Sequence, residues 1–153
     1  MDQNELRQAF GCFTTGVAIV TTSSEDFEPV GLTINSFTSL SLEPPLLMWG
    51  ISKNAPSIEA FKYRRLFEVN VLSSHQKDLL KKFSTPSNDK FNDVNWEMSD
   101  NKLPKIKECV ANFECVIHSI FPGGDHEIIV GKITNFSFND KPPLILSRGG
   151  VIN

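Results

Sequence analysis

The sequence predicts a mainly β domain, in which antiparallel strands follow one another and close into a small barrel with a few short α-helices. Three observations favour this fold class. Apolar and polar residues alternate over residues 30–34 and again over residues 111–121, which is the two-residue period of a half-buried strand. No long helix is predicted between the first four strands, so these strands should meander and run antiparallel. Twelve phenylalanines against one tyrosine suit a β-rich core.

The N-terminal residues predict a short helix that ends at Gly11. Asp2 and Glu5 have the spacing of a capping box, in which side chains satisfy the free N–H groups of the first turn. Three apolar residues then follow at helical intervals, namely Leu6, Phe10 and Phe13.

The remaining pattern predicts eight strands, two further short helices and tight turns. The strands are predicted at residues 17–22, 30–34, 37–41, 46–51, 66–72, 111–121, 126–138 and 144–146. Asn54 is predicted to cap the second helix, with Ile58 and Phe61 facing inward. Ser73 and Gln76 form a second capping box that opens the third helix.

Residues 84–103 have no convincing period and are rich in Ser, Asn, Asp and Pro. A loop of this length in a compact domain is usually functional or mobile. A lid or a dimer contact is one interpretation, and a disordered excursion is the other. Phe91 and Trp96 argue that part of the segment packs on the domain.

Length, composition and charge narrow the class of protein. The 153 residues predict a single domain over residues 1–153, and 40% hydrophobic residues are typical of a globular chain. A net charge of −3 without a long basic cluster argues against nucleic-acid binding. No apolar run approaches a membrane span and no signal peptide is recognised, so a cytoplasmic protein is expected. The cysteines lack CxxC spacing and the histidines lack zinc-protease spacing, so no metal site is expected.

Residues 30–50 concentrate the polar chemistry of the chain. Hydroxyl-bearing residues alternate with leucines there, which predicts an uncharged sheet face rich in hydrogen-bond donors. Such a wall would suit a planar, polar ligand. No phosphate-binding GxGxxG or Walker loop is present, and a Ser-His-Asp hydrolase stays open although no GxSxG elbow occurs. From the residues alone, the interpretation is a ligand-binding β-barrel.

Three segments together resemble the short-chain flavin reductases, the small components of two-component flavin monooxygenases. They are Phe13-Thr14-Thr15-Gly16-Val17, the run from Gly31-Leu32-Thr33-Ile34-Asn35-Ser36-Phe37 to Ser39-Leu40-Ser41-Leu42-Glu43-Pro44-Pro45, and Gly124-Asp125-His126-Glu127-Ile128. The resemblance covers nearly the whole chain in the right order. It implies a split β-barrel that binds FMN or FAD, with NAD(P)H as co-substrate.

The resemblance also implies site residues. Those matched to flavin binding are Thr33, Ile34, Asn35, Ser36, Ser39, Ser41, Ser52, Lys53, Asn54, Lys82 and Phe83. Lys53 and Asn54 match a turn on the phosphate side, Lys82 and Phe83 match a basic-aromatic pair near the phosphate, and His126 and Arg148 match the nucleotide site. No catalytic side chain is implied, because the flavin itself accepts the hydride.

The activity that the resemblance implies is hydride transfer from NAD(P)H to FMN or FAD. Reduced flavin would then pass to a partner monooxygenase. The resemblance also implies that the reductase is a homodimer. The alternatives are a flavin-binding electron carrier without a productive NAD(P)H site and a barrel without redox turnover. Many family members end in Tyr-x-Arg-Gly-x-Tyr, whereas this chain has Leu146-Ser147-Arg148-Gly149-Gly150-Val151 and lacks both aromatics. Their absence favours the electron carrier, and the Gly-Asp-His segment opposes it.

Overall fold

The computed structural model describes residues 1–153, which form three α-helices, one 3₁₀ turn and twelve β-strands. The helices are α1 Gln3–Gly11, α2 Ile58–Arg64 and α3 Lys77–Ser84, with the 3₁₀ turn at Ser74–Gln76. The strands are β1 Thr15–Gly16, β2 Ala18–Ser23, β3 Pro29–Ile34, β4 Thr38–Leu42, β5 Pro45–Ser52, β6 Leu66–Val71, β7 Trp96–Met98, β8 Pro104–Ile106, β9 Ala111–Gly123, β10 His126–Phe138, β11 Ile145–Ser147 and β12 Gly150–Val151.

Seven strands form one antiparallel sheet in the order β3-β2-β6-β9-β10-β5-β4. Its two edge strands, β3 and β4, are consecutive in the chain and are joined only by residues 35–37. Because four residue steps span at most about 14 Å, the two edges must lie close together and the sheet must curl. No ladder joins β3 to β4, so the barrel is split between them. The predicted mainly β, antiparallel split barrel is therefore confirmed.

An aromatic cluster fills the barrel. Trp49 of β5 is fully buried and meets Phe61 of α2 and Phe67 of β6 edge-on, with ring centroids 5.1 and 5.6 Å apart. Edge-on contacts place the positive rim of one ring against the negative face of another. A second cluster, around Phe83 and Leu72, lies under α3. The predicted inward positions of Ile58 and Phe61 are confirmed.

Gly131 of β10 lies where no side chain fits. A Cβ built there would overlap the Phe67 ring and approach Cys115 Cβ to 3.1 Å, and both neighbours are fully buried. Gly131→Ala is therefore expected to lower the free energy of unfolding by about 1–3 kcal/mol, which is the usual cost of overpacking a core. Urea unfolding measures the loss, with Gly16→Ala as control because no atom beyond its chain neighbours lies within 4 Å of its Cβ position. Equal losses in the two variants would contradict this packing.

Two of the three predicted helix starts are confirmed. The Asp2 carboxylate accepts hydrogen bonds from the N–H groups of Asn4 and Glu5 at 2.7 and 3.0 Å, which caps α1. The capping box of Ser73 and Gln76 is present and opens the 3₁₀ turn before α3.

The predicted cap at Asn54 is wrong. Helix α2 begins at Ile58, with Ser57 at the N-cap position and no side-chain cap bond. The Asn54 N–H instead donates to Ser52 Oγ at 3.2 Å, and the Ala55 N–H donates to the Ser52 carbonyl. These bonds close a turn over residues 52–55, so Asn54 cannot supply a helix N-terminus for a phosphate.

The long segment 84–103 is packed on the barrel, and the disordered excursion is wrong. Phe91 meets Phe83 and Trp96 edge-on, with centroids 5.0 and 5.2 Å away. Lys90 Nζ donates to the carbonyls of Gly31 and Phe83 at 3.2 and 3.0 Å, which ties the loop to edge strand β3 and to the end of α3. The segment then forms most of the β7–β8 hairpin.

None of the three helices has the length and apolar character that a membrane-spanning helix needs.

Candidate active site

The linker between β3 and β4 forms one wall of a corner at the split. Ser36 Oγ accepts a hydrogen bond from the Gly50 N–H at 3.0 Å and lies 3.3 Å from the Gly50 carbonyl oxygen, to which it can donate. These bonds hold the linker against β5 beyond the last β4 pair. Asn35 is exposed and its amide makes no hydrogen bond within the chain, so its donors and acceptor are free for a ligand.

His126 reaches the same corner from a distant part of the sequence. It is the first residue of β10 and pairs with Ser52 of β5. Its Cδ2 and Ser36 Oγ each lie 3.8 Å from the point that a Cβ on Gly50 would occupy. We call the group of Ser36, Gly50, Ser52 and His126 the split-edge corner.

The turn before His126 explains its placement. Gly123 pairs with His126, so Gly124 and Asp125 form a two-residue hairpin loop. Gly124 has φ of 70°, and glycine with positive φ at the first loop position is typical of a type II′ turn. The Lys53 N–H donates to the Asp125 carbonyl at 3.0 Å, which fastens this loop to the turn after β5. Lys53 and Asn54 are exposed beside it, and no salt bridge engages the Lys53 ammonium.

Asp125 orients the imidazole of His126. His126 Nδ1 lies 2.7 Å from an oxygen of the Asp125 carboxylate. The hydrogen bond from His126 and the imidazolium charge lower the pKa of Asp125, which therefore stays ionised and can only accept. Nδ1 must then carry the hydrogen, and Nε2 is left for a ligand. The sequence pattern predicts no separate role for Asp125 or Gly50, and the only signal for Asp125 is its position next to His126 in the matched segment.

Two residues of β3 have structural partners. Thr33 Oγ1 donates to the Leu80 carbonyl at 2.8 Å, so its hydroxyl fastens β3 to α3 and can offer a ligand only an acceptor. The Ile34 side chain is buried in the barrel core, so only its backbone could meet a ligand. The structure brings Asn35, Ser36 and the Ser52–Asn54 turn close to His126, and it keeps Ile34 away from solvent.

Strand β4 departs from the expected alternation. A register shift separates Ser39, which pairs with Leu47, from Ser41, which pairs with Leu46. The expectation that Leu40 and Leu42 face inward is wrong, because Leu42 is 95% exposed and Leu40 is also exposed. Ser39 is exposed and Ser41 is half-buried, so the shift places these two serines, both matched to flavin binding, in different surroundings.

Lys82 and Phe83 do not act together as a basic-aromatic pair. Phe83 is fully buried against Phe91, so its ring offers no surface to a ligand. Lys82 Nζ donates to the Asn92 carbonyl and borders a cavity of about 680 Å³ between α3 and the following loop. Lys77, Lys81 and Lys90 also line that cavity. Lys82 therefore belongs to a basic surface rather than to an aromatic clamp.

Arg148 lies in the turn of the C-terminal hairpin. Arg148 and Gly149 have φ of 51° and 79°, as the two central residues of a type I′ turn require. The Arg148 N–H donates to the Gly11 carbonyl at 2.7 Å, which joins the hairpin to the end of α1. Its guanidinium is exposed, and none of its hydrogen bonds reaches the split-edge corner.

A comparison with protein families matches residues 10–152 to a model described as "Flavin reductase like domain". The chain belongs to this flavin reductase family.

Two curated members of the flavin reductase family illustrate the likeness. "Stachydrine N-demethylase reductase subunit Stc3" of Rhizobium meliloti is 40% identical over 149 residues, which cover 97% of this chain and 65% of that protein. "FMN reductase (NADH) SmoA" of Agrobacterium fabrum is 38% identical over 148 residues, which cover 97% of this chain and 84% of that protein. The chain spans 43–65% of the length of the three relatives that are 40–41% identical to it.

A solved structure of the family has the same fold. The NADH:FAD oxidoreductase SgcE6 of Streptomyces globisporus, in complex with NAD and FAD fragments, superposes with a TM-score of 0.95 at 35% identity. The match covers 99% of this chain and 92% of that one. The flavin reductase split barrel is therefore shared over the whole described chain.

Proposed function

We propose that residues 1–153 form one flavin reductase domain that transfers a hydride from NAD(P)H to FMN or FAD. The observation that carries the proposal is the split-edge corner, where the segment matched to flavin binding meets the segment matched to nucleotide binding. Hydride transfer requires the two rings within about 3–3.5 Å, so their binding segments must be neighbours. The names of Stc3, SmoA and SgcE6 support the same activity.

The residues at the corner fit a flavin. Asn35 offers an unpaired amide, and Lys53 offers an exposed ammonium for a phosphate. Ser36 would act mainly by holding the linker that carries Asn35, because its hydroxyl is bonded to Gly50. A bound flavin would supply the hydride acceptor, and the side chains around it would position the reactants and exclude water.

The nicotinamide nucleotide would meet His126. The Asp125 carboxylate binds Nδ1 of His126 and so fixes the direction of Nε2, which makes no hydrogen bond within the chain. A neutral imidazole there would accept from an amide N–H, and an imidazolium would donate to a carbonyl or phosphate oxygen. In either state the Asp125–His126 pair binds and orients, and no proton transfer is needed in the hydride step.

Asn35→Ala is expected to weaken flavin binding by about 0.5–1.5 kcal/mol, the value of one side-chain hydrogen bond. Ser36→Ala should weaken it as well, by loosening the linker. Quenching of flavin fluorescence measures both affinities. Glu25→Ala is the control, because Glu25 is exposed in the β2–β3 loop and makes no side-chain bond. Unchanged affinity in Asn35→Ala and Ser36→Ala would remove this site assignment.

Steady-state oxidation of NADH and NADPH, with FMN or FAD added, tests the activity. The proposal expects nucleotide oxidation that depends on both flavin and protein. Flavin binding without oxidation of NADH or NADPH would favour the electron carrier instead, which is the alternative that the missing C-terminal aromatics support. Absence of both would overturn the proposal.

A homodimer is part of the proposal. Several large apolar side chains are exposed in the single chain, namely Phe10, Phe13, Leu42, Phe136 and Phe138, and Phe13 and Phe138 are 80% and 76% exposed. Exposed apolar area of this kind marks interfaces. Light scattering after size exclusion should give about twice the 17.1 kDa mass of the chain. A monomer that oxidises NADH at the full rate would contradict a shared site.

We further propose that reduced flavin leaves for a partner monooxygenase, as the name of Stc3 suggests for that protein. A cytoplasmic location is proposed with it. Cys12, Cys109 and Cys115 are all free thiols, as is usual in a reducing compartment.

A further inference from the structure

A second polar cavity lies at the opposite end of β10 from His126 and the split-edge corner. Its volume is about 440 Å³, and it is an open cleft lined by the β7–β8 hairpin and by strands β6, β9 and β10. We call it the acidic cavity, because Glu68, Glu97, Asp100 and Glu114 line it and Lys105 is its one cationic lining residue. No residue of the split-edge corner lines it.

Glu68 is the unusual member of this group. It is 2% exposed, yet its carboxylate accepts no hydrogen bond and takes part in none of the three salt bridges of the chain. It stands directly opposite Glu114 in the β6–β9 register, so a second carboxylate faces it. Buried charges without a donor or an opposite charge are strongly disfavoured in folded chains.

The electrostatics agree with the geometry. Burial raises the pKa of Glu68 to about 7, the charge of Lys105 opposes this shift, and the charge of Glu114 adds to it. Lys105 makes no salt bridge with either glutamate. Glu97 is already paired with Lys107, whose ammonium lies 2.9 Å away. Glu68 is therefore the buried carboxylate of the cavity that has neither a hydrogen-bond donor nor a salt-bridge partner, with only the charge of Lys105 acting in favour of its ionised form.

Two neighbours of Glu68 in the acidic cavity, Asn112 and Glu114, keep acceptor oxygens unpaired. Asn112 uses its NH₂ group to donate to Asn70 Oδ1 and to the Ile106 carbonyl, at 2.9 and 3.3 Å. Its Oδ1 accepts nothing within the chain. Glu114 accepts one bond from the Asn101 amide and keeps its second oxygen free. A guest that satisfies these groups must bring several N–H donors and a positive charge.

We propose that the acidic cavity binds a small organic cation with an alkylammonium or guanidinium group. A guanidinium has five N–H donors and is weakly hydrated, so it can satisfy Glu68, Glu114 and Asn112 together. The cavity volume lies within the usual range for small-ligand sites, roughly 300–1,000 Å³. A bare metal ion suits the site less well, because no three His, Cys, Asp or Glu groups converge to ligate one.

The same chemistry predicts a proton linkage. The cation interacts with ionised Glu68, whereas below neutral pH the carboxyl is protonated. The affinity for the cation should therefore rise by about tenfold per pH unit below the pKa of Glu68 and level off above that pKa. The groups that face Glu68 are Glu114 from β9, Lys105 from β8, Glu97 from β7 and Asp100 from the hairpin loop.

Calorimetric titration with agmatine, at low ionic strength and above pH 7, tests the site. We expect saturable binding to the wild-type chain, at least tenfold weaker binding to Glu68→Gln, and wild-type binding to the control Glu25→Gln. Glu114→Gln should also weaken binding. Circular dichroism and the flavin titration should be unchanged in Glu68→Gln, which separates this site from the proposed flavin site.

Three results would overturn the proposal. The first is no binding of agmatine by the wild-type chain, and the second is equal binding by wild type and Glu68→Gln. The third is a loss of agmatine binding that depends only on ionic strength, with magnesium chloride and sodium chloride equally effective, because that would indicate general charge screening. Retained binding of putrescine alongside agmatine would support the general amine class, and binding of agmatine alone would support the guanidinium.

Discussion

Glu68→Gln is expected to raise the free energy of unfolding above pH 7 by about 3–3.5 kcal/mol and to change it little below pH 4. In the folded chain, burial raises the pKa of Glu68 from its ordinary value of 4.5 to about 7. Between these two values the folded state binds more protons than the unfolded state, so wild-type stability falls as pH rises and levels off above pH 7. Each pKa unit corresponds to about 1.4 kcal/mol, which sets the size of the loss.

Glutamine removes the ionisation while keeping the shape of the side chain. Urea unfolding of wild type and Glu68→Gln at several pH values therefore measures the effect directly, as a gap that opens between pH 4.5 and 7. Glu25→Gln is the control and should follow the wild-type curve, since Glu25 is exposed. Parallel curves for wild type and Glu68→Gln would show that the carboxylate is compensated in solution.

His126→Ala is expected to raise the KM for NAD(P)H about tenfold or more while flavin affinity stays within about twofold. The loss of one hydrogen bond to a charged group is worth about 1.5–3 kcal/mol. Asp125→Asn should have a smaller effect, because the amide oxygen can still accept from Nδ1 while the charge that fixes the tautomer is lost. His118→Ala is the matched control, since His118 is exposed on β9 and its ring nitrogen contacts only Ser119.

Steady-state kinetics with saturating flavin, together with a separate flavin titration, measure the two effects. Flavin affinity that collapses in His126→Ala while the KM for NAD(P)H holds would reverse the assigned roles. Rates that fall equally in His118→Ala would indicate a general loss of structure.

The periodic parts of the fold were predictable from the sequence because their signals are local. The alternation over residues 111–121 placed β9 correctly, and the turn that follows placed its partner β10, which begins and ends at the predicted residues. The cap of α1 joins the Asp2 carboxylate to N–H groups two and three residues further on, and the capping box before α3 joins Ser73 to Gln76, so both depend on local information. The antiparallel arrangement followed from the absence of long crossover helices.

Features that depend on strand register and local distortions were not predictable. The register of β5 with β10 sets the approach of His126 to Gly50, and nothing in either segment specifies that pairing. The irregularity in β4 exposes Leu40 and Leu42, although their alternation with serines indicated burial. Phe83 is buried by Phe91, which lies in a segment without any period.

The acidic cavity had no sequence signal either. Glu68 and Glu114 are distant in the chain and face each other only because β6 and β9 pair. Alternation places Glu68 on one face of its strand, but it does not reveal that the β7–β8 hairpin covers that face. The polar bonds that hold the cover in place, from Thr21 to the Pro104 carbonyl and from the Ile106 N–H to Asn70, join separate elements.

Anaerobic mixing of NADH with the protein and an excess of flavin tests most directly whether the split-edge corner is a hydride-transfer site. We predict bleaching of the flavin absorbance with one NADH consumed per flavin reduced, at a rate proportional to protein. The rate should fall when the transferred hydrogen is deuterium, and His126→Ala should slow it at low NADH. Flavin that is bound by the protein but bleaches no faster than free flavin would contradict the proposed function.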